Sequence, residues 1–129
     1  MFNHIMIGTN DIDKAKAFYE KVLKVVGVES AMDNTQHGIR RTFFIHNGNV
    51  LALTQPLDGE AATCANGMTI GFKCDSPEQV KELHDAAIAA GGTSIEDPPG
   101  PRDTTMGQLH LSYFRDLDGH KICGLHRPG

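Results

Sequence analysis

His4 is the residue in this chain whose type and place most suggest chemistry. It stands in an apolar run from Phe2 to Gly8 that contains β-branched members and stops at Thr9-Asn10-Asp11, the pattern of a strand entering a helix. Strand alternation puts its imidazole on one face with Phe2 and Met6, opposite Ile5 and Ile7. An imidazole there can bind a metal, contact a ligand, or hydrogen-bond within a cavity without further role. The other histidines, His37, His46, His84, His110, His120 and His126, are scattered, with no His-x-His or His-x-x-x-His pair on one element. His110 is the exception worth carrying forward, because it sits in a strand. Its face is open: Leu109, Leu111 and Tyr113 on one side balance His110, Ser112 and Phe114 on the other. His84 reads as a boundary residue of a helix, and His120, after a tight turn, as solvated.

Arg40, Arg41, Arg102 and Tyr113 are the handles for an anion or a carbonyl, since a guanidinium fork can grip a carboxylate or phosphate through two parallel hydrogen bonds. Arg40 and Arg41 are neighbours in a strand, so one points to each face; a surface ion pair is the alternative for either. Cys64, Cys74 and Cys123 are odd in number and irregular in spacing, which offers no disulfide framework and no Cys-x-x-Cys pair. A reducing cytoplasm is the expected compartment. Cys123 reads as a small buried apolar residue or as a ligand.

These residues must be positioned by a chain of 129 residues, enough for one domain that buries about two-thirds of its unfolded surface. A net charge of −4 and the lack of a dense Lys/Arg cluster exclude a phosphate-tracking stripe for nucleic acid. No apolar run reaches the ~18 residues of a membrane span, and the N-terminus lacks a signal-peptide pattern.

Two halves follow one plan. His4-Ile5-Met6-Ile7, then Asn10-Asp11 and an amphipathic helix, is matched by Thr69-Ile70-Gly71-Phe72, then Asp75-Ser76 and another helix. Positions 4 and 69, 11 and 76, 18 and 83, and 27 and 92 correspond. In the first half Asp11 caps a helix whose inner stripe is Ile12, Ala15, Phe18, Val22 and Val25, widened by Tyr19, Leu23 and Val26, and which Gly27 ends. Strands follow at Ile39–His46 and Asn49–Thr54 across an Asn47-Gly48 turn. In the second half Ser76, Pro77 and Gln79 form a capping box, Val80, Leu83, Ala87 and Ala90 an inner stripe, and Gly91-Gly92 a stop. A short strand through Ile95 comes next. The prolines of 97–103 imply irregular backbone there, as a lid or a rigid connector. Gln108–Arg115 and Lys121–Leu125 are the last strands, joined by a turn at Asp116-Leu117-Asp118-Gly119. The expectation is a single domain over 1–129: one module over about 1–55, a connector over 56–67 and a second module over about 68–129. It has eight strands and two helices in the order βαβββ twice.

His4, the helix start Asn10-Asp11-Ile12-Asp13-Lys14-Ala15-Lys16-Ala17-Phe18-Tyr19 and the ending Phe114-Arg115-Asp116-Leu117-Asp118-Gly119-His120-Lys121-Ile122 resemble the vicinal oxygen chelate superfamily. That group includes glyoxalase I, bleomycin and fosfomycin resistance proteins, and extradiol dioxygenases. The resemblance spans nearly the whole chain; it is specific for fold and much less so for reaction. It implies an α+β fold of paired βαβββ modules, a curled mixed sheet around a cup-shaped cavity with helices outside, and a homodimer. It also implies one divalent ion (Zn, Ni, Mn or Fe) held from the first and last strands of each module. Carried onto this sequence, those positions are His4, Ala52, Thr69 and Cys123. Only His4 is a ligand of the usual type; Ala52 has no donor, and Cys123 replaces the usual final glutamate.

Two functions follow as expectations. One is a glyoxalase-like lyase with His4 as a metal ligand, completed by Thr69, Cys123 or His110. The other is a metal-free module that binds a small molecule, with His4, Arg40, Arg41, Thr69, His110, Tyr113 and Cys123 as the candidate contacts. A dimeric interaction protein with a vestigial cup is a third reading. Sequestration of a bulky cationic drug fits poorly, because the chain has no Trp and 6% aromatic residues.

Overall fold

A computed structural model describes all residues from Met1 to Gly129. In chain order the elements are β1 His4–Gly8, α1 Ile12–Lys24, β2 Ala31–Gln36, β3 Ile39–His46, β4 Asn49–Thr54, β5 Ile70–Lys73, α2 Pro77–Ala89, β6 Thr93–Ser94, β7 Gly100–Thr104, β8 Gly107–Arg115 and β9 Lys121–His126. The first sheet has the order β1-β4-β3-β2; the second runs β5-β9-β8-β6, with β7 also paired to β8. In each half the opening strand lies parallel to the last one, β1 beside β4 and β5 beside β9, while the remaining pairs are antiparallel. No strand of one sheet pairs with a strand of the other, and the sheets do not close into a barrel. No helix is long and apolar enough to cross a membrane.

The repeat seen in the sequence is the repeat of the fold, for α1 and α2 begin and end at corresponding positions. There are nine strands rather than eight. Two lie where the sequence reading placed none: β2, before the Ile39–His46 strand, and β7, inside the proline-rich stretch expected to be irregular. Pro101 can sit there because β7 pairs on one side only, so its missing N–H interrupts no central ladder. Before it, the Arg102 guanidinium donates to the carbonyls of Asp97, Pro98 and Gly100, which folds the 97–100 bend onto its own strand. That segment is stapled down.

Both helices start as the sequence dictates. Asp11 accepts from the Lys14 N–H and Ser76 from the Gln79 N–H. The Gln79 side chain goes further: its Oε1 accepts from the Asp75 N–H, and its Nε2 donates to the Val25 carbonyl at the end of α1. Ser76→Ala removes one of these bonds, and we expect a loss of about 1 kcal/mol in a denaturant titration. A change within a few tenths would mean that Gln79 alone holds the helix start.

The helices and one face of each sheet share a single core. Ile12, Ala15, Phe18, Tyr19, Val22 and Leu23 of α1 meet Ile7, Phe44, Leu51 and Leu53 of the first sheet and Ile70, Phe114 and Ile122 of the second. Val80, Leu83 and Ala87 of α2 complete it. Each sheet therefore has a helix-side face in this core and an open face turned away from it.

A polar seam joins the halves at one corner. The Tyr19 hydroxyl donates to Asp116 Oδ2 at 2.5 Å, while Asp116 Oδ1 accepts from the Asp118 and His120 backbone N–H groups. His120 Nε2 donates to the Gly8 carbonyl, and the Asn10 N–H to Asp118. His120, expected in solvent, is thus buried; its turn is pressed against the end of β1. The two sequence motifs that carry the family resemblance meet here, so their shared task is structural.

Candidate functional site

Register and the core assign every strand residue to a face. In the first sheet Leu51, Leu53, Phe44 and Ile7 enter the core, so His4, Met6, Val50, Ala52, Thr54, Arg41, Phe43, Ile45, Met32 and Asn34 occupy the open face. They form rows across the strands. Met6, Ala52, Phe43 and Met32 lie side by side; one step along the strands lie Thr54, Arg41 and Asn34. Apart from Ala52, which its neighbours bury, the apolar row is open to solvent: Met6 is 39% exposed, Met32 58%, and Ile45 beside them 46%.

In the second sheet Ile70, Phe114 and Ile122 face the core, so Cys123, Tyr113, Leu109, Leu111 and Leu125 stand on the open face, where Leu109, Leu111 and Cys123 make a small cluster of their own. Thr69, just before β5, alternates onto the same side as Gly71, at which an added Cβ would lie 3.3 Å from the Cys123 sulfur. Lys121 Nζ sits 4.8 Å above the Tyr113 ring and pairs with Glu96. Burial raises the Tyr113 phenol above its usual range, with the neighbouring Cys123 and Glu96 adding to it. The phenol is a proton donor at neutral pH.

Two candidates from the sequence lie elsewhere. His110 shares a face with Ser112, which donates to the Val80 carbonyl of α2, so His110 stands on the helix side, its ring 6.2 Å from that of His126. Arg40 also points to the helix side and forms a forked ion pair with Asp13 of α1 at 2.7 and 3.2 Å. Those hydrogen bonds, and then the Arg40 charge, hold the Asp13 carboxyl below the usual range. That was the surface-pair alternative, and it takes Arg40; Arg41 is the one left on the open face. His84, read as a boundary residue, is buried and hydrogen-bonded to Ser94.

Within one chain the four positions implied for a metal stand as two pairs, His4 with Ala52 on one sheet and Thr69 with Cys123 on the other. No three His, Cys, Asp or Glu side chains converge. The donor set does not fit a divalent ion. His4 is exposed, with Nδ1 at 2.7 Å from Asn3 Oδ1. Ala52 is fully buried and brings no donor atom. Burial pushes the Cys123 thiol up, and Thr69 beside it offers only a hydroxyl. Two surface depressions of about 350 and 460 Å³ lie elsewhere and touch none of the four.

The model of the Glyoxalase/Bleomycin resistance protein/Dioxygenase superfamily matches residues 1–123. The chain belongs to this superfamily. A crystal structure of a glyoxalase/bleomycin resistance protein from Albidiferax ferrireducens T118 superposes with a TM-score of 0.92 at 44% identity, covering 98% of this chain and 99% of that one. A glyoxalase-related enzyme from Fulvimarina pelagi gives 0.74 at 21% identity, over 99% and 88%. A fosfomycin resistance protein from Listeria monocytogenes, crystallised with Mn(II) and 1S,2S-dihydroxypropylphosphonic acid, gives 0.67 at 21% identity, over 96% and 87%. At such identity the last two show a shared fold. No curated protein matches the sequence.

What sequence reasoning missed in this superfamily member is most of the open face around Met6, namely Met32, Asn34, Phe43 and Thr54. In Ile39–His46 the set Ile39, Arg41, Phe43 and Ile45 is the more apolar, yet it is Phe44 of the other set that enters the core, so alternation alone points to the wrong side. The signal that could have decided it is Asp13 in the first turn of α1, placed to attract one arginine of the pair.

Proposed function

We propose that this protein binds a small molecule between the open faces of two copies, and does so without a metal. The observation that carries this is the chemistry of the four family positions, above all the donorless Ala52 at the centre of the open face of the first sheet. Around it stand Met6, Phe43 and Met32, a surface suited to an apolar ligand body. The second open face contributes Tyr113 as a hydrogen-bond donor and Leu109, Leu111 and Cys123 as apolar wall. Each sheet turns its open face away from the shared core, so a second chain is the natural means of bringing a first-type face opposite a second-type one. The expected assembly is a homodimer of twice the 14.0 kDa chain, acting in the cytoplasm.

The test has two arms. Sedimentation should give the dimer mass. In thermal unfolding, loading with Zn, Ni or Mn followed by removal of free ion should leave the midpoint where EDTA-treated protein has it. A stoichiometric ion that is retained and raises the midpoint above that of EDTA-treated protein would restore the lyase reading, with His4 as its first ligand.

A further inference from the structure

The open face of the first sheet has a sign. The strands of both sheets contain only two acids, Asp33 and Asp103, and neither is on an open face. Asp33 accepts from Lys16 of α1 and from Thr42, on the helix side. Asp103 pairs in register with Gln108, in the alternation set of Ser112 and Phe114. Bases stand on both open faces, Arg41 on the first and Lys73, Arg102, Arg115 and Lys121 on the second, with Arg40 on the helix side; Arg115 donates to the Gly119 carbonyl. This holds in a chain whose net charge is −4. Arg102 is committed to carbonyls of its own loop, and Lys121 to Glu96. Arg41 is committed to neither. Its Nε donates to Thr54 Oγ1 at 3.2 Å, which fixes the plane of the guanidinium, and its two terminal nitrogens have no protein partner and no carboxylate within ion-pair distance.

We infer that the ligand of this face is a small organic acid with a single negative charge: its carboxylate on the Arg41 fork, its apolar body across Met6, Phe43 and Met32. The inference rests on the proposed binding role and adds the chemical class. The geometry favours a carboxylate. The edge that Arg41 presents is planar and matches two carboxylate oxygens through parallel charge-assisted hydrogen bonds. Asn34, opposite Arg41 in register, places an amide beside the same spot. One cation in the row balances one charge, whereas a doubly charged phosphate calls for more. The polar and apolar rows are two residues apart along the strands, about 7 Å. That separation suits an acid whose carboxylate is one or two bonds from a ring or a branched chain.

Isothermal titration of the full chain with phenylacetate, benzoate and 4-methylpentanoate, each against its primary amide, tests this. Each pair shares its apolar body and differs in charge. At least one acid should bind ten-fold or more tightly than its amide. That preference should vanish in Arg41→Met and persist in Arg40→Met, which deletes the neighbouring guanidinium on the other face and controls for net charge. Equal binding of acids and amides, or an acid preference that survives Arg41→Met, overturns the charge assignment while leaving a binding face. Absence of binding by every acid and amide overturns the binding role itself, and this inference with it.

Discussion

Asp116→Ala is expected to cost about 3 to 5 kcal/mol of folding stability, the larger part of what a domain of this size holds in reserve. The buried Asp116 carboxylate accepts three hydrogen bonds, from the Tyr19 hydroxyl and the Asp118 and His120 N–H groups. Removing it leaves three donors without an acceptor. Each fully buried orphan costs about 1 to 3 kcal/mol. Tyr19 is 1% exposed, so its hydroxyl bears the full penalty, while Asp118 at the half-exposed turn can find water. Tyr19→Phe should cost less, about 1.5 to 3 kcal/mol, since one charge-assisted bond is lost and the carboxylate keeps two. Denaturant unfolding of both variants measures this. A loss below about 1 kcal/mol for Asp116→Ala would mean that the seam is hydrated and not a joint between the halves.

The same seam sets an alkaline limit. Burial, then the Asp116 charge, raises the Tyr19 phenol well above its ordinary value. The folded state therefore keeps a proton that the unfolded chain releases near pH ~10. Below that pH both states hold it and stability is unaffected. Above it the unfolded state gains from ionisation, so stability falls as pH rises toward the folded value. The fall should be smaller in Tyr19→Phe, and an identical alkaline slope in the two proteins would remove Tyr19 as its cause.

Phe18→Ala carries the second large effect, about 3 to 5 kcal/mol. Phe18 is 2% exposed and belongs to α1, yet its ring lies 5.0 Å from Tyr19, edge to face, and 6.4 Å from Phe114 in the other half. The hole left behind has little freedom to collapse. Gly92 is wedged beside it, where an added Cβ would lie 2.9 Å from the Ala87 and Arg115 carbonyl oxygens and 3.2 Å from Phe18 Cε2. Backbone on two sides cannot move in to fill the space. A loss near 1 kcal/mol, with an unchanged denaturant slope, would show instead that α1 shifts to close the gap.

The fold was legible wherever periodicity and capping agreed. The stripes of α1 and α2, Asp11 and Ser76 as caps, and the Asn47-Gly48 turn all appear where the residues imply them, with Asn47 itself at positive φ. Legibility failed where a tertiary partner decides. His120 is buried because β1 ends against its turn. β7 forms because the long β8 has an outer edge to offer. The candidate site was half legible. His4, Thr69, Cys123 and Tyr113 stand on open faces, whereas His110 and Arg40 do not, since in both of their strands the more apolar alternate set turns away from the helices.

The parallel pairing of first strand with last has a consequence for a chain still being made. His4–Gly8 is made before its partner, and its ladder with Asn49–Thr54 waits until α1 and a whole hairpin have been synthesised. Through that interval Ile5, Met6 and Ile7 form an unshielded apolar segment. The second half repeats the delay, with Ile70–Lys73 waiting for Lys121–His126. Nascent chains arrested short of either closing strand should therefore be ready clients for chaperones that hold exposed strands.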